Sequence, residues 1–269
     1  MWVGGLQVVG KYGVMDWLRF VPFAGRLVRG RRESRRQRYQ YALEWSQDNA
    51  RALEQEGPLW VVLGDSTGQA VGASGRHLGY VGQTLDWLWR NDDPTWRVLN
   101  YSVSGATTDD VLAEQLPRLR ELRDAPGLVT CLIGANDVRH FGTSQILEKV
   151  RVLLAQLPDG AVVGTLPHAL HPVRSRRVNS FIRRYAAVRG FFVADVWATT
   201  GPPWWGLVSA DGFHPNEMGY ARWASALMPA VSQALAAGRS RKVDPGRKGG
   251  KRGAGGLEPA PSGSGEATA

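Results

Sequence analysis

Four short stretches of the 269-residue chain carry side chains that could do chemistry together. The first is Gly64-Asp65-Ser66-Thr67-Gly68, a serine directly after an apolar run. A hydroxyl is unreactive at its free pKa and becomes a nucleophile only beside a base. The stretch Asp211-Gly212-Phe213-His214-Pro215 offers that base. A carboxylate three residues before an imidazole can reach it, fix its tautomer and stabilise the imidazolium. His214 has this spacing in a loop at the predicted sheet edge. A third stretch, residues 100–108, contains Gly105, where the backbone could approach a ligand closely. Thr107 or Thr108 could cap the helix that follows. In the fourth, Gly134-Ala135-Asn136-Asp137, an amide can donate to a substrate while the carboxylate orders a loop. Such a set suits nucleophilic acyl transfer. Each stretch alone has a plainer reading, because small polar residues commonly cap helices.

The chemistry requires a scaffold that brings these stretches to one edge. Apolar runs at 59–63, 97–101, 128–133, 161–166 and 191–196 read as buried strands. Helical periodicity separates them, at 41–55, 78–89, 108–123, 144–157 and 173–188. A closing helix spans 215–237 and stops at Gly238. The alternation predicts an α/β protein, a three-layer α/β/α sandwich with a five-stranded parallel, flavodoxin-like sheet. Ligands of such sheets bind beyond the carboxyl ends of the strands. All four stretches fall at that edge.

With the four blocks in this order, residues 59–237 resemble the SGNH/GDSL hydrolase superfamily. The resemblance implies a serine esterase acting through an acyl-enzyme on Ser66, with His214 as base oriented by Asp211. It also implies an oxyanion hole made by the backbone N–H groups of Ser66 and Gly105 and the side chain of Asn136. Two departures leave the subfamily open. The first block reads Gly-Asp-Ser-Thr rather than Gly-Asp-Ser-Leu, and Ser102 stands where many members have glycine. The expected substrate is a small-molecule or lipid ester, with no cofactor. A carbohydrate O-acetylesterase or a thioesterase would use the same residues. A non-catalytic binding module using the basic termini is the alternative of another class, and intact Ser66, Asn136 and His214 argue against it.

Other residues near the predicted edge carry weaker signals. His168 and His171 follow the fourth strand and could line the crevice. Without a carboxylate cluster beside them they predict no metal site. Trp204 and Trp205, in Pro202-Pro203-Trp204-Trp205-Gly206, either pack a loop down or form an acyl-pocket wall or lipid-contacting rim. Asp65 and Asp137 are read as loop organisers, and the lone Cys131 as a buried strand thiol.

Composition places these residues in a globular protein, with 43% hydrophobic and 21% charged residues. A net charge of +9 at first suggests an anionic partner. Its distribution says otherwise. Residues 1–38 hold nine Lys/Arg against two Asp/Glu, and residues 239–269 hold seven against three. The body between them is near neutral, so no specific nucleic-acid partner is expected. The organisation read from this is a basic extension at 1–38, a hydrolase domain at 39–238 and a disordered basic tail at 239–269. Val14, Leu18, Val21 and Val28 fall on one side of a notional helix, with Arg19, Arg26 and Arg29 on the other. That pattern suits weak contact of residues 1–38 with an anionic membrane surface, and the plainer alternative is an extension that packs on the domain or stays loose. Pro22, Gly25 and Gly30 argue against one continuous helix there. No run of 18 apolar residues and no convincing export signal is present, which gives an expectation of a cytoplasmic enzyme, with membrane association through residues 1–38 as the further option. The oligomeric state is not legible.

Overall fold

The computed structural model describes residues 14–168 and 171–243, with side chains for 25–168 and 171–240. The apolar runs form strands β1 (Leu59–Gly64), β2 (Arg97–Asn100), β3 (Leu128–Leu132), β4 (Val162–Gly164) and β5 (Phe192–Ala194). They make one parallel sheet in the order β2-β1-β3-β4-β5. Helices fill the intervals. In chain order α1 (Val14–Glu54) precedes β1, and α2 (Tyr80–Asn91) precedes β2. Next come α3 (Thr108–Asp110), a π-helical turn (Val111–Gln115) and α4 (Leu116–Arg120), which form one helical run. Helices α5 (Ala135–His140) and α6 (Thr143–Gln156) lead to β4, and α7 (Pro172–Arg189) leads to β5. The last helices are α8 (Val196–Thr199) and α9 (Glu217–Val243).

Every residue of β1 and β3 is buried, as expected for strands covered on both faces. Their side chains alternate between two cores. Trp60 and Val62 join Trp45, Tyr80 and Trp223 on the side of α1, α2 and α9. Val61 and Leu63 join Leu116, Ile146 and Ile182 on the side of α4, α6 and α7. Each fully buried aliphatic or aromatic side chain contributes about 1.5–3 kcal/mol, so the two layers hold the sheet firmly. This is the expected α/β/α sandwich.

Three expectations change. Helix α1 runs through Pro22, Gly25 and Gly30 and across residue 38, so no break separates residues 14–38 from the domain behind them. Gly30 supplies contact instead of interruption: a Cβ there would lie 2.2 Å from the carbonyl carbon of Ala210. Helix α9 likewise passes through Gly238 to Val243; Gly238 has open space around it and needs no left-handed turn. The short α5 was not expected. It begins at Gly134, whose φ of 111° is a left-handed conformation that glycine adopts freely. The side-chain pattern at 14–21 and the tail from 244 onward lie outside the described residues.

Candidate active site

The end of β1 is pinned before the serine is reached. Gln115, fully buried in the π-helical turn, accepts from the Gly64 N–H and donates to the Gly64 carbonyl, both at 2.9 Å. Single π turns within helices often occur at functional sites. Beyond Gly64 the chain folds into consecutive turns, Gly68 N–H to Asp65 O and Val71 N–H to Ser66 O at 3.1 Å each. The Asp65 carboxylate accepts from the Thr67 N–H at 2.9 Å and hydroxyl at 2.8 Å. Burial pushes the Asp65 carboxyl up, and these two bonds only partly offset that. Asp65 therefore orders the turn that presents Ser66.

Ser66, His214 and Asp211 come together at the carboxyl edge of the sheet. Ser66 Oγ lies 3.0 Å from His214 Nε2, and His214 Nδ1 lies 2.6 Å from Asp211 Oδ2. All three are buried. Asp211 Oδ1 accepts from the Ser209 hydroxyl at 2.7 Å and from the N–H groups of Phe213 and His214 at 2.8 and 2.9 Å. Oδ2 accepts a further bond from Ser34 Oγ at 2.6 Å. Burial alone would raise the Asp211 carboxyl, but the bonds from His214 and Ser34, the His214 charge and the Ser209 bond outweigh it. The group sits well below the usual carboxylate range. His214 is also closely backed by the chain. A Cβ on Gly72 would lie 2.7 Å from the His214 Cβ, and Gly72 has a φ of 102°, so only glycine suits that position.

The other two blocks lie alongside. Asn136 is buried in the first turn of α5 and donates through Nδ2 to the Ala106 carbonyl at 2.8 Å. An amide has two N–H donors, so this bond orients the side chain and leaves its second hydrogen. Gly105 has a φ of 89° and open space around its Cα, and it does not itself line the cavity beside Ser66. Asp137 accepts from the Thr108 N–H, at 3.0 Å to the nearer oxygen, and so ties α5 to the start of α3. Thr107 caps that helix: its N–H and hydroxyl both donate to Asp110 at 2.7 Å.

Ser66, Asn136 and His214 line a cavity of about 170 Å3. Its other walls include Trp204, Leu207 and Phe213. Of the residues expected at this crevice, Trp204 reaches it. Trp205 is 91% exposed and lines a neighbouring groove with Arg26 and Leu27. His168 is not part of the cavity wall. Its ring packs 4.2 Å from Trp197 and 6.0 Å from Trp204, so it backs the Trp204 wall. His171 stands exposed at the start of α7 and is not brought to the cavity either. Cys131 is buried, and burial followed by the nearby Asp65 charge pushes its thiol up to about 12.

Sequence reasoning missed Gln115 and Ser34. For Ser34 a signal exists. Gly30, Ser34, Gln37, Tyr41, Trp45 and Asn49 recur at intervals of three and four, uncharged among the arginines of 31–38. That stripe is the buried face of α1.

A parallel sheet carrying a hydrogen-bonded Ser–His–Asp chain at its carboxyl edge suits nucleophilic acyl transfer. The family model for the GDSL-like lipase/acylhydrolase family matches residues 62–222, and the chain belongs to that family. Among curated proteins none matches the chain. Solved structures share the fold. TesA is 24% identical, with a TM-score of 0.55 over 66% of this chain and 99% of its own. The psychrotrophic esterase EstA from a Pseudoalteromonas species is 19% identical, with a TM-score of 0.54 over 67% and 100%. The acetylxylan esterase Axe2 from Geobacillus stearothermophilus is 20% identical, with a TM-score of 0.52 over 66% and 95%. Helix α1 up to Glu54 precedes the segment matched by the family model.

Proposed function

We propose that this esterase cleaves small carboxylic esters through an acyl-enzyme on Ser66. The observation that carries the reading is the continuous chain from Ser66 Oγ through His214 to Asp211, opening on a cavity. His214 Nε2 takes the Ser66 proton as Oγ attacks the ester carbonyl. Asp211, held ionised, steadies the Nδ1–H tautomer and the imidazolium that results. The oxygen of the tetrahedral intermediate takes the negative charge and is met by the N–H groups of Ser66 and Gly105 and the free Nδ2 hydrogen of Asn136. His214 then protonates the leaving alcohol. A water deprotonated by the same nitrogen releases the acid and restores Ser66.

The cavity of about 170 Å3, with apolar walls beside Ser66, suits a short acyl chain. A panel of aryl esters from acetate to decanoate, with acetylated sugars and acyl thioesters as further arms, tests this. Turnover is expected to be highest with two- to six-carbon acyl groups and lost in Ser66→Ala. Preference for long chains would place the acyl group outside this cavity. Parental activity in Ser66→Ala would refute the assignment. Asn136→Ala is expected to lower kcat by roughly 10²–10³; a raised KM at unchanged kcat would make the amide a binding group only.

A second reading concerns where the enzyme works. The seven arginines between residues 26 and 38 are all exposed, and among the described residues none forms an ion pair. Arg26 shares a groove with the exposed Trp205, which adjoins the cavity wall at Trp204. A cationic face beside an exposed indole suits the surface of an anionic bilayer.

A further inference from the structure

Helix α1 lies outside the segment matched by the family model, yet its buried face meets the end of β2, the turns that follow Ser66 and the loop that carries Asp211. At its far end Asn49 exchanges two bonds of 2.8 Å with the backbone of Asn100, at the end of β2. Nearer the centre, Tyr41 donates to the Ala73 carbonyl at 2.9 Å, and Gln37 accepts from the Gly72 N–H at 2.8 Å, directly behind His214. At the near end Gly30 packs against the Ala210 backbone, and one turn on, Ser34 meets Asp211. We propose that Ser34 is a positioning residue for ester hydrolysis, acting through Asp211; this rests on the reading of Ser66, His214 and Asp211 given above.

Three donors from residues 209–214 hold Asp211 Oδ1, and all come from the loop that carries Asp211 itself. Oδ2 is the oxygen that receives the imidazole, and among the described residues Ser34 is its other donor. That donor comes from 177 positions away and from a helix fixed by its own contacts. It gives the carboxylate an anchor outside its own loop, on the atom that aims His214 at Ser66. A buried carboxylate oxygen that loses a donor tilts toward any replacement, and a misaligned base lowers the rate without altering substrate binding.

Full-length Ser34→Ala is therefore expected to hydrolyse a short aryl ester with kcat lowered about tenfold and KM unchanged. Ser34→Thr keeps the hydroxyl and should return kcat to within about threefold of the parent. Asn49→Ala loosens the same helix at its other end and serves as the control: it should lower Tm while leaving kcat intact. Parental kcat in Ser34→Ala overturns the proposal. So does a kcat loss in Asn49→Ala as large as that in Ser34→Ala, or a Thr variant as slow as the Ala variant, since these mark a purely structural tether. Ser66→Ala in the same assay separates the two claims. Parental activity there removes the underlying reading, whereas an inactive Ser66→Ala beside a parental Ser34→Ala removes only the role of Ser34.

Discussion

Three carboxylates, Asp65, Asp137 and Asp211, are buried in the stretches that carry the site, and their environments push them in opposite directions. Asp211, supplied with four donors and an imidazole, lies well below the usual range. A depressed folded-state pKa stabilises the fold above the ordinary carboxylate range, and that contribution is lost as pH falls below it. Asp65 and Asp137 are raised by burial, so the sign reverses. Their contribution is present at low pH and lost as pH rises past the ordinary carboxylate value. Asp65→Asn keeps the acceptor for Thr67 and removes the buried charge. Its Tm should exceed that of the parent at pH 7, with the advantage shrinking toward pH 4. A thermal melt series across that range checks it; a variant less stable than the parent at pH 7 would show that the charge itself is needed. At this scale the sequence was informative where partners are close along the chain. Asp211 and His214 lie three residues apart and announce one another, whereas Ser34 is joined to Asp211 only by the fold.

Among the elements, the strands and most helices were legible to within a few residues, because their apolar runs and 3.6-residue periods are strong. Helix α1 was not, since Pro22 and the glycines were read by their usual preferences. Gly30 shows why that failed: its missing side chain lets α1 touch the Ala210 backbone. Exposed helical Gly→Ala substitutions commonly stabilise by about 1 kcal/mol. Here a Cβ would fall 2.2 Å from backbone, so Gly30→Ala should lower both Tm and kcat. A rise in Tm would mean that the contact relaxes easily. The π-helical turn was equally invisible, because nothing in residues 111–115 marks the one-residue expansion. Gln115→Met removes the partner of the buried Gly64 N–H and should cost about 1–3 kcal/mol in denaturant unfolding. An unchanged midpoint would show that Gly64 is held by the sheet alone.

For the whole molecule, the charge of +9 divides into a near-neutral body and basic ends, and the described part of the first end carries an exposed arginine face on α1 without ion pairs among the described residues. Binding to anionic vesicles should fall steeply between 50 and 500 mM salt, as about 10 Å of screening at 0.1 M shortens further. It should weaken at least fivefold when Arg26, Arg29 and Arg32 are changed together to glutamine, and neutral vesicles should recover little of either protein. Equal co-sedimentation of parent and variant would dismiss the surface. No helix among the described residues is long and apolar enough to cross a membrane. Turnover depends on a single atom, Ser66 Oγ. Intact-mass and peptide analysis after incubation with a fluorophosphonate, which traps an activated serine at the tetrahedral stage, addresses it directly. One adduct per chain is predicted, on the peptide containing Ser66, absent from Ser66→Ala and strongly slowed in His214→Ala. An adduct on another residue, or none in an enzyme that turns over esters, would rule out Ser66 as the nucleophile.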